Sequence, residues 1–535
     1  MKKTVRIALI ITGSIILLFI ILIVGGQALV KYEVRKVLDR GTVGIGGTEY
    51  AVKAGKVNVS IPARSVVIND ISLSSQPGDE ASDGSLSVNI GKLSLKGISY
   101  KKSRRTGDKH SIGARVLEID RPNVVFNGPR HPAADKNDES KASGSALTEK
   151  FGCISVKQIV VNSGSVEIKG WKEGHEYIYT AAGLSLNAEG FAMGEQADTA
   201  GKIFFSDWIK ANVDKFTTTN KRGANVMEID GLKADSRDNS LAMTGFKMLP
   251  QYSRTEYAGK VWDHSDWTQA ELENIRVFNI DYGKLISDKA IKADSAAIGG
   301  GKVASYKNRN IQPLNKVSLY YESLQKLSMP LDIPAISING IDVDYRELAP
   351  GADAPGLVTV TGITGRIEGL TNRAAHTKQT FRLIADAKLM DKAPFHAVMT
   401  MPVDRHYDHW EFIGKIGEMD MQVLNSAVEN LANARVTSGR LHNLDFHVVG
   451  NSATSHTTAV MSYDGLEIAL LRKHDHSHER HLLSFLADTL VIRHQNPDRR
   501  GHLHTGEGDA ERDYYKSQFN FIVKSLIAGV KGILI

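Results

Sequence analysis

SLSVNIGKLSLKGISY, residues 85–100, alternates apolar with polar side chains, the mark of a strand with one buried face. The same period of two runs through KVNVSIP (56–62), SVVINDISLSS (65–75) and RVLEIDRPNVVF (115–126), with Gly, Asn, Asp and Ser between the segments as turns. It resumes in CISVKQIVVNSGSVEIKG (153–170) and TAAGLSLNAEGFAM (180–193), and it dominates from Gly356 onward. The chain therefore reads as mainly β. RVLEIDRPNVVFNG, CISVKQIVVNSGSVEIKG and PAISINGIDVDYREL share a form, a strand, an Asn/Asp/Gly corner and a second strand, which suggests stacked repeats along an axis.

Helical periods are few. A short helix is expected between Gly201 and Phe216, and another turn of helix in SLYYESLQKL (318–327). Met421, Leu424, Val428 and Leu431 recur at helical spacing behind Asp420, a plausible N-cap. In the tail, Phe519, Ile522, Val523, Leu526, Ile527 and Val530 make an apolar stripe broken by Lys516, Lys524 and Lys531. That is an amphipathic helix, too charged to span a bilayer. It is expected to cap the β body, with a membrane surface as the other place for its apolar face.

One stretch stands apart. Ile7 to Val30 is uncharged between Arg6 and Lys31, and IALIITGSIILLFIILIV (7–24) is almost wholly apolar. About 20 such residues cross a hydrocarbon core about 30 Å thick. A cleavable signal peptide wants a shorter apolar core, although Gly26 and Ala28 would supply small residues for cleavage. The run reads as an uncleaved signal anchor. Lys2, Lys3 and Arg6 before it are matched by Lys31, Arg35, Lys36 and Arg40 after it, so counting basic residues does not set the orientation.

At 535 residues the chain exceeds what a single core usually supports. Five regions are expected: the anchor and its helical extension (1–40), an N-terminal β region (41–130), a flexible polar linker (131–150), a middle β region (151–350) and a C-terminal β region with the terminal helix (351–535). The net charge of +6 is mild, suits a protein near anionic lipid and does not call for nucleic acid. Lys101, Lys102, Arg104, Arg105 and Lys109 form the clearest basic cluster, read as a solvated turn. A single cysteine, Cys153, rules out an intramolecular disulfide and a cysteine-built metal site.

Catalytic patterns are sparse. No P-loop, nucleophile elbow or dinucleotide fingerprint is present, and IGGGKVAS lacks the residues a phosphate cradle needs around Gly301 and Lys302. His474, His476, His478 and His481 cluster in RKHDHSHERHLL, but the spacing misses H-E-x-x-H by one residue and reads as a polar hairpin turn. Asp342, Asp344 and Glu347 alternate along a strand and read as an outward polar stripe. Neither an enzyme nor a catalytic, metal or cofactor site is expected.

The anchor, the long alternating body and the block VTSGRLHNLDFHVVGNSATSHTTAVMSYDGLEIALL together resemble the AsmA-like proteins of bacterial envelopes. The resemblance rests on Ser438 and Gly439 opening strands that return to Tyr463 and Leu466, on the Tyr345-x-Glu347 step, and on the closing YYKSQFNFIVKSLIAGVKGILI. It covers the anchor and most of the chain from Leu272; the polar segment His131–Leu147 and the histidine turn depart from it. It implies an elongated, curled β-sheet forming a groove, as in bridge-like lipid transfer proteins. It further implies a single-pass inner-membrane protein with its bulk in the periplasm, supporting the outer membrane by moving phospholipid with acyl chains in the groove. The groove-lining residues are unknown at this point. The alternative is a scaffold that assists assembly of outer-membrane or envelope proteins without carrying lipid.

Overall fold

The computed structural model describes residues 41–45, 48–75, 84–101, 110–128, 151–172, 175–194, 201–220, 223–373, 378–404, 406–471 and 492–535. The expected anchor (1–40), the polar linker (131–150) and the histidine-rich turn lie outside these residues. Among the described residues no helix is long and apolar enough to cross a membrane. The chain is mainly β, about 63% strand against 12% helix, and divides into two compact units, residues 1–244 and 245–535.

The first unit holds β1 (Thr42–Ile45), β2 (Thr48–Lys53), β3 (Val57–Ser60), β4 (Ser65–Ser75), β5 (Ser85–Lys96) and β6 (Ser99–Lys101). Long strands follow: β7 (His110–Asn127), β8 (Phe151–Lys172), β9 (His175–Met193), β10 (Trp208–Asn220) and β11 (Asn225–Asp235). The division between units falls within β12 (Ser240–Pro250). Pairing runs β2–β4–β5–β7–β8–β9–β10–β11, antiparallel throughout except between β7 and β8. Trp208–Asn220 is a strand where a helix was expected to reach Phe216; its threonines and Val213 suit a pleated sheet, and ladders on both sides satisfy its backbone.

The second unit begins with α1 (Arg254–Lys260), β13 (Trp267–Phe278), α2 (Tyr282–Ser287), β14 (Ile291–Lys292), β15 (Ser295–Ile298), β16 (Gly300–Asn308) and α3 (Tyr320–Gln325). Its central strands are β17 (Leu331–Leu348), β18 (Gly356–Thr371), β19 (Thr380–Leu389), β20 (Ala393–Pro402) and β21 (Trp410–Ile416). Then come β22 (Met419–Asp420), a 3-10 turn at Met421–Leu424, α4 (Asn425–Ala432), β23 (Ala434–Gly450), β24 (Thr454–Leu470), β25 (Thr505–Glu511) and α5 (Gln518–Leu534). Asp420 caps the 3-10 turn by accepting from the Gln422 amide at 2.9 Å, as its position in the sequence suggested.

The three repeated "strand, corner, strand" segments turn out to be single long strands. Each corner is a residue in the left-handed region inside the ladder: Arg121 in β7 (φ 52°), Ser163 in β8 (φ 53°) and Gly340 in β17 (φ 71°). The inward-facing set changes parity there. In β7 it is Leu117 and Ile119 before Arg121, then Val124 after it; in β8, Ile159 and Val161 before Ser163, then Val166. Asp70 in β4, Gly183 in β9 and Gly231 in β11 sit at the same level with positive φ. Such bulges bend each strand at one height and return its apolar residues to the inner face.

Helix α5 lies against β24 and β25 through small residues. A Cβ on Gly508 would sit 2.3 Å from the Ala528 backbone, and one on Gly529 would sit 2.5 Å from Thr457 Cγ2. Ser525 Oγ donates to Phe521 O at 2.8 Å and pairs with Ser455 Oγ at 2.6 Å, so these two buried hydroxyls are satisfied. Ile522 and Ile533 are buried by it, and Phe521 meets Trp410 edge-on at 5.5 Å. The helix thus caps this end of the sheet.

Two glycines separate backbone strain from packing. Gly340 has open space around its missing Cβ, so Gly340→Ala is expected to cost about 1 kcal/mol, the price of a left-handed alanine. Gly508→Ala pushes α5 off the sheet and is expected to cost about 1–3 kcal/mol. Urea midpoints of the two variants should fall in that order; equal midpoints would contradict the close contact.

Candidate functional site

Side chains opposite one another on paired strands share a face of the sheet. In the first unit this produces an unbroken apolar row. Val52, Leu73, Val88 and Val124 stand opposite one another from β2 to β7, and the row continues through Val166, Ala181, Phe216 and Ile229 to β11. Eight strands at about 4.8 Å spacing make it about 34 Å long. A parallel row runs from Val66 through Leu95, Leu117 and Ile159 to Ala188 and Ile209.

Burial fades along the first row. Val52, Leu73, Val88 and Val124 are 3–4% exposed and belong to one packed core, whereas Val166, Ala181, Phe216 and Ile229 are half-buried. The described residues of this unit form no α-helix that lies across the β8–β11 part of the face. The opposite face carries charge. Glu167, Thr180, Thr217 and Glu228 stand in register there, with Lys169–Glu167 at 2.8 Å and Lys215–Glu228 at 2.9 Å. Asp120 accepts from the Asn162 amide at 2.7 Å and from Lys92 at 3.3 Å, which holds its carboxyl below the usual range. The sheet is apolar on one face and hydrated on the other.

The second unit repeats the pattern. Val277, Ala296, Ile336, Ile367, Leu383 and Met399 form a row from β13 to β20, which continues through Phe412 and Val448 to Thr457 and Gly508 beneath α5. Under the helix the row is closed, Val448 and Thr457 being 0% exposed. Between β17 and β19 it is half-buried, at Ile336, Ile367 and Leu383 and at their same-face neighbours Ile338, Ile341, Val343 and Ile363.

The residues singled out from sequence have structural partners. Asp342 accepts from the Gly362 amide at 2.8 Å, Asp344 pairs with Lys302 at 3.4 Å, and Glu347 pairs with Arg309 at 3.3 Å. Tyr345 donates to Glu347 at 2.5 Å and stacks on Phe519 of α5 at 4.7 Å, with burial and that carboxylate pushing its phenol far up. Ser438 donates to Gly465 O at 2.7 Å, and Leu466 passes so close to Gly439 that a Cβ there would lie 3.1 Å from its Cα. Tyr463 is buried and donates to Arg493 O at 2.9 Å. These groups brace strands and place α5. Among the described residues no group of three or more His, Cys, Asp or Glu could hold a metal ion.

Sequence reading did not find the row residues themselves, because alternation leaves open which parity faces inward, and the switch at each bulge exchanges the two. It also missed the buried polar seat of the tail. Lys307 reaches Asp266 at 3.2 Å and Tyr515 O at 3.4 Å, and Arg512 donates to Ser452 O at 3.1 Å and to Val317 O. No local sequence signal marks either cation. No family model, curated protein or solved structure matches the chain.

Burial pushes the Tyr463 phenol up to about 12. The unfolded chain ionises its tyrosines near pH 10, so between pH 10 and 12 the folded state alone holds this proton and stability falls as pH rises. Tyr463→Phe is expected to flatten the loss by about 1.4 kcal/mol per pH unit in that window. Urea titrations at pH 9 to 11.5 measure it, and parallel slopes for the two proteins would refute the assignment.

Proposed function

We propose that the chain is a membrane-anchored periplasmic carrier of phospholipid, with acyl chains lying along the half-buried apolar rows. The observation that carries this reading is the row from Val52 to Ile229, continuous across eight strands and losing its cover from Val166 onward. An acyl chain suits such a surface because it has no hydrogen-bonding groups to satisfy. A docked polypeptide would bring backbone N–H and C=O groups to rows of Val, Ile, Phe and Ala that offer them no side-chain partner. Each methylene moved from water to the row gains about 0.8 kcal/mol.

In this reading the AsmA-like resemblance supplies the setting. The apolar run Ile7–Val30 holds the protein in the inner membrane, the β body curls into an elongated groove, and the carried lipid supports the outer membrane. No reaction step is part of the role; the protein lowers the cost of moving an apolar tail through water. The hydrated face, with its Glu167, Lys169, Lys215 and Glu228 pairs, stays toward solvent.

Adjacent residues on opposite faces test it. Phe216→Asp places a carboxylate in the row, whereas Thr217→Asp places one on the hydrated face. Full-length protein carrying Phe216→Asp is expected to lose most of its tightly bound phospholipid in native mass spectrometry, while Thr217→Asp keeps it. Absence of bound phospholipid from the wild-type protein, or equal retention by both variants, would remove the carrier role.

A further inference from the structure

In the first unit the exposed large apolar side chains among the described residues are Phe204 (57%), Ile61 (55%), Tyr100 (52%) and Phe205 (43%). They lie far apart in sequence, yet the pairing register gathers them at one end of the strands. Tyr100 stands opposite Ile112 at the start of β7, and Ile112 stands opposite Ile154 at the start of β8. Ile154 stands opposite Met193 at the end of β9, and the neighbouring Ala192 amide donates to Phe205 O at 2.9 Å. Ile61 is in the turn joining β3 to β4, where Arg64 O accepts from Ile98 at 3.0 Å.

Phe204 and Phe205 form the tip of a two-residue turn. Ile203 and Ser206 exchange both backbone hydrogen bonds, at 3.0 and 2.9 Å, and the two phenylalanines hold φ of 46° and 63°. Turns of this shape favour Asn-Gly, and bulky aromatic residues adopt the left-handed region at a cost. Strain combined with exposure of two apolar rings points to function. Ile203 and Ser206 pair with each other and Phe205 O accepts from Ala192, so a tip that enters only the interface leaves its remaining polar groups to head-group oxygens and water. Around the four side chains, Arg64, Lys101, Arg115 and Lys157 are exposed, while the acidic Asp207 is paired with Lys202 at 2.7 Å.

We infer that this end of the first unit docks on an anionic bilayer, Phe204, Phe205, Ile61 and Tyr100 entering the interface and the four basic side chains meeting lipid head groups. The cationic rim selects an anionic lipid surface over an uncharged one. The buried core of the first unit reaches this rim through Ile112, Ile154 and Phe191, whose ring meets Phe205 edge-on at 6.3 Å. Docking would therefore bring the mouth of the apolar face to the bilayer, a consequence that rests on the carrier reading, whereas the docking itself does not. Gly41 accepts from the Val52 amide at the level of Val124, about 40 Å of strand away from Ile112.

The test uses the full chain in nanodiscs of phosphatidylcholine, floated with vesicles of phosphatidylcholine alone or with about 30% phosphatidylglycerol to give an anionic surface. The decisive variant is Phe204→Asn with Phe205→Gly, which supplies the residues the turn prefers and so offsets the lost contact of Phe205 with Phe191. The wild-type protein is expected to float with the anionic vesicles, at least tenfold better than with the neutral ones. The double variant is expected to lose at least tenfold while keeping its bound phospholipid and its urea midpoint. Equal flotation of wild type and variant, or no flotation of either, overturns the docking rim. Loss of bound phospholipid on Phe216→Asp bears on the carrier reading alone, so the two ideas fail separately.

Discussion

The constraint on which the rest depends is the parity of a β-strand. Side chains alternate, so one extra residue sends every later apolar group to the wrong face. The long strands of this protein are too long to stay straight, and each is bent by a bulge that would cause that exchange. The sequences compensate: the apolar positions shift by one at the bulge, as from Ile119 to Val124 across Arg121 and from Val161 to Val166 across Ser163. Because neighbouring strands bulge at the same height, the rows stay in register across the sheet. In the second unit Gly340 and Gly362 do the same for β17 and β18.

That arrangement separates two tasks within one sheet. Where the apolar face is fully covered, by neighbouring core residues in the first unit and by α5 in the second, it supplies folding free energy in the usual way. Where cover is lost, at β8–β11 and at β17–β19, the same face becomes available to another apolar body. The hydrated faces contribute little stability through their exposed ion pairs, but they keep the sheet soluble and set which side is wet. The seat of α5 differs in kind. It combines glycine contacts with buried cations, Lys307 holding Tyr515 O and Arg512 holding Ser452 O, which fasten the segment leading into the helix.

Much of this was legible in the sequence. Alternation marked nearly every strand, and the tail's apolar stripe marked α5, which caps the sheet as expected. Three segments were misread for one physical reason. Asp-Arg-Pro-Asn at 120–123, Asn-Ser-Gly at 162–164 and Asn-Gly at 339–340 have turn chemistry, but the left-handed residue they supply bends a continuing strand as readily as it reverses one. The helix expected between Gly201 and Phe216 gave way to a strand from Trp208 because ladders were available on both sides, as at Lys210, Ala211 and Phe216. Which face is inward could not be read locally, since it is fixed by pairing across eight strands.

The central claim is that acyl chains lie on the inner rows and nowhere else on the sheet. The most direct measurement is photo-crosslinking of the full-length protein with phospholipid carrying a diazirine near the middle of its acyl chain, followed by mapping of the labelled residues. The account predicts labels at Val166, Phe216 and Ile229, and at Ile338 and Ile363, with none at Lys169, Thr217 or Glu228. Labels spread evenly over both faces, or confined to the hydrated one, would contradict it.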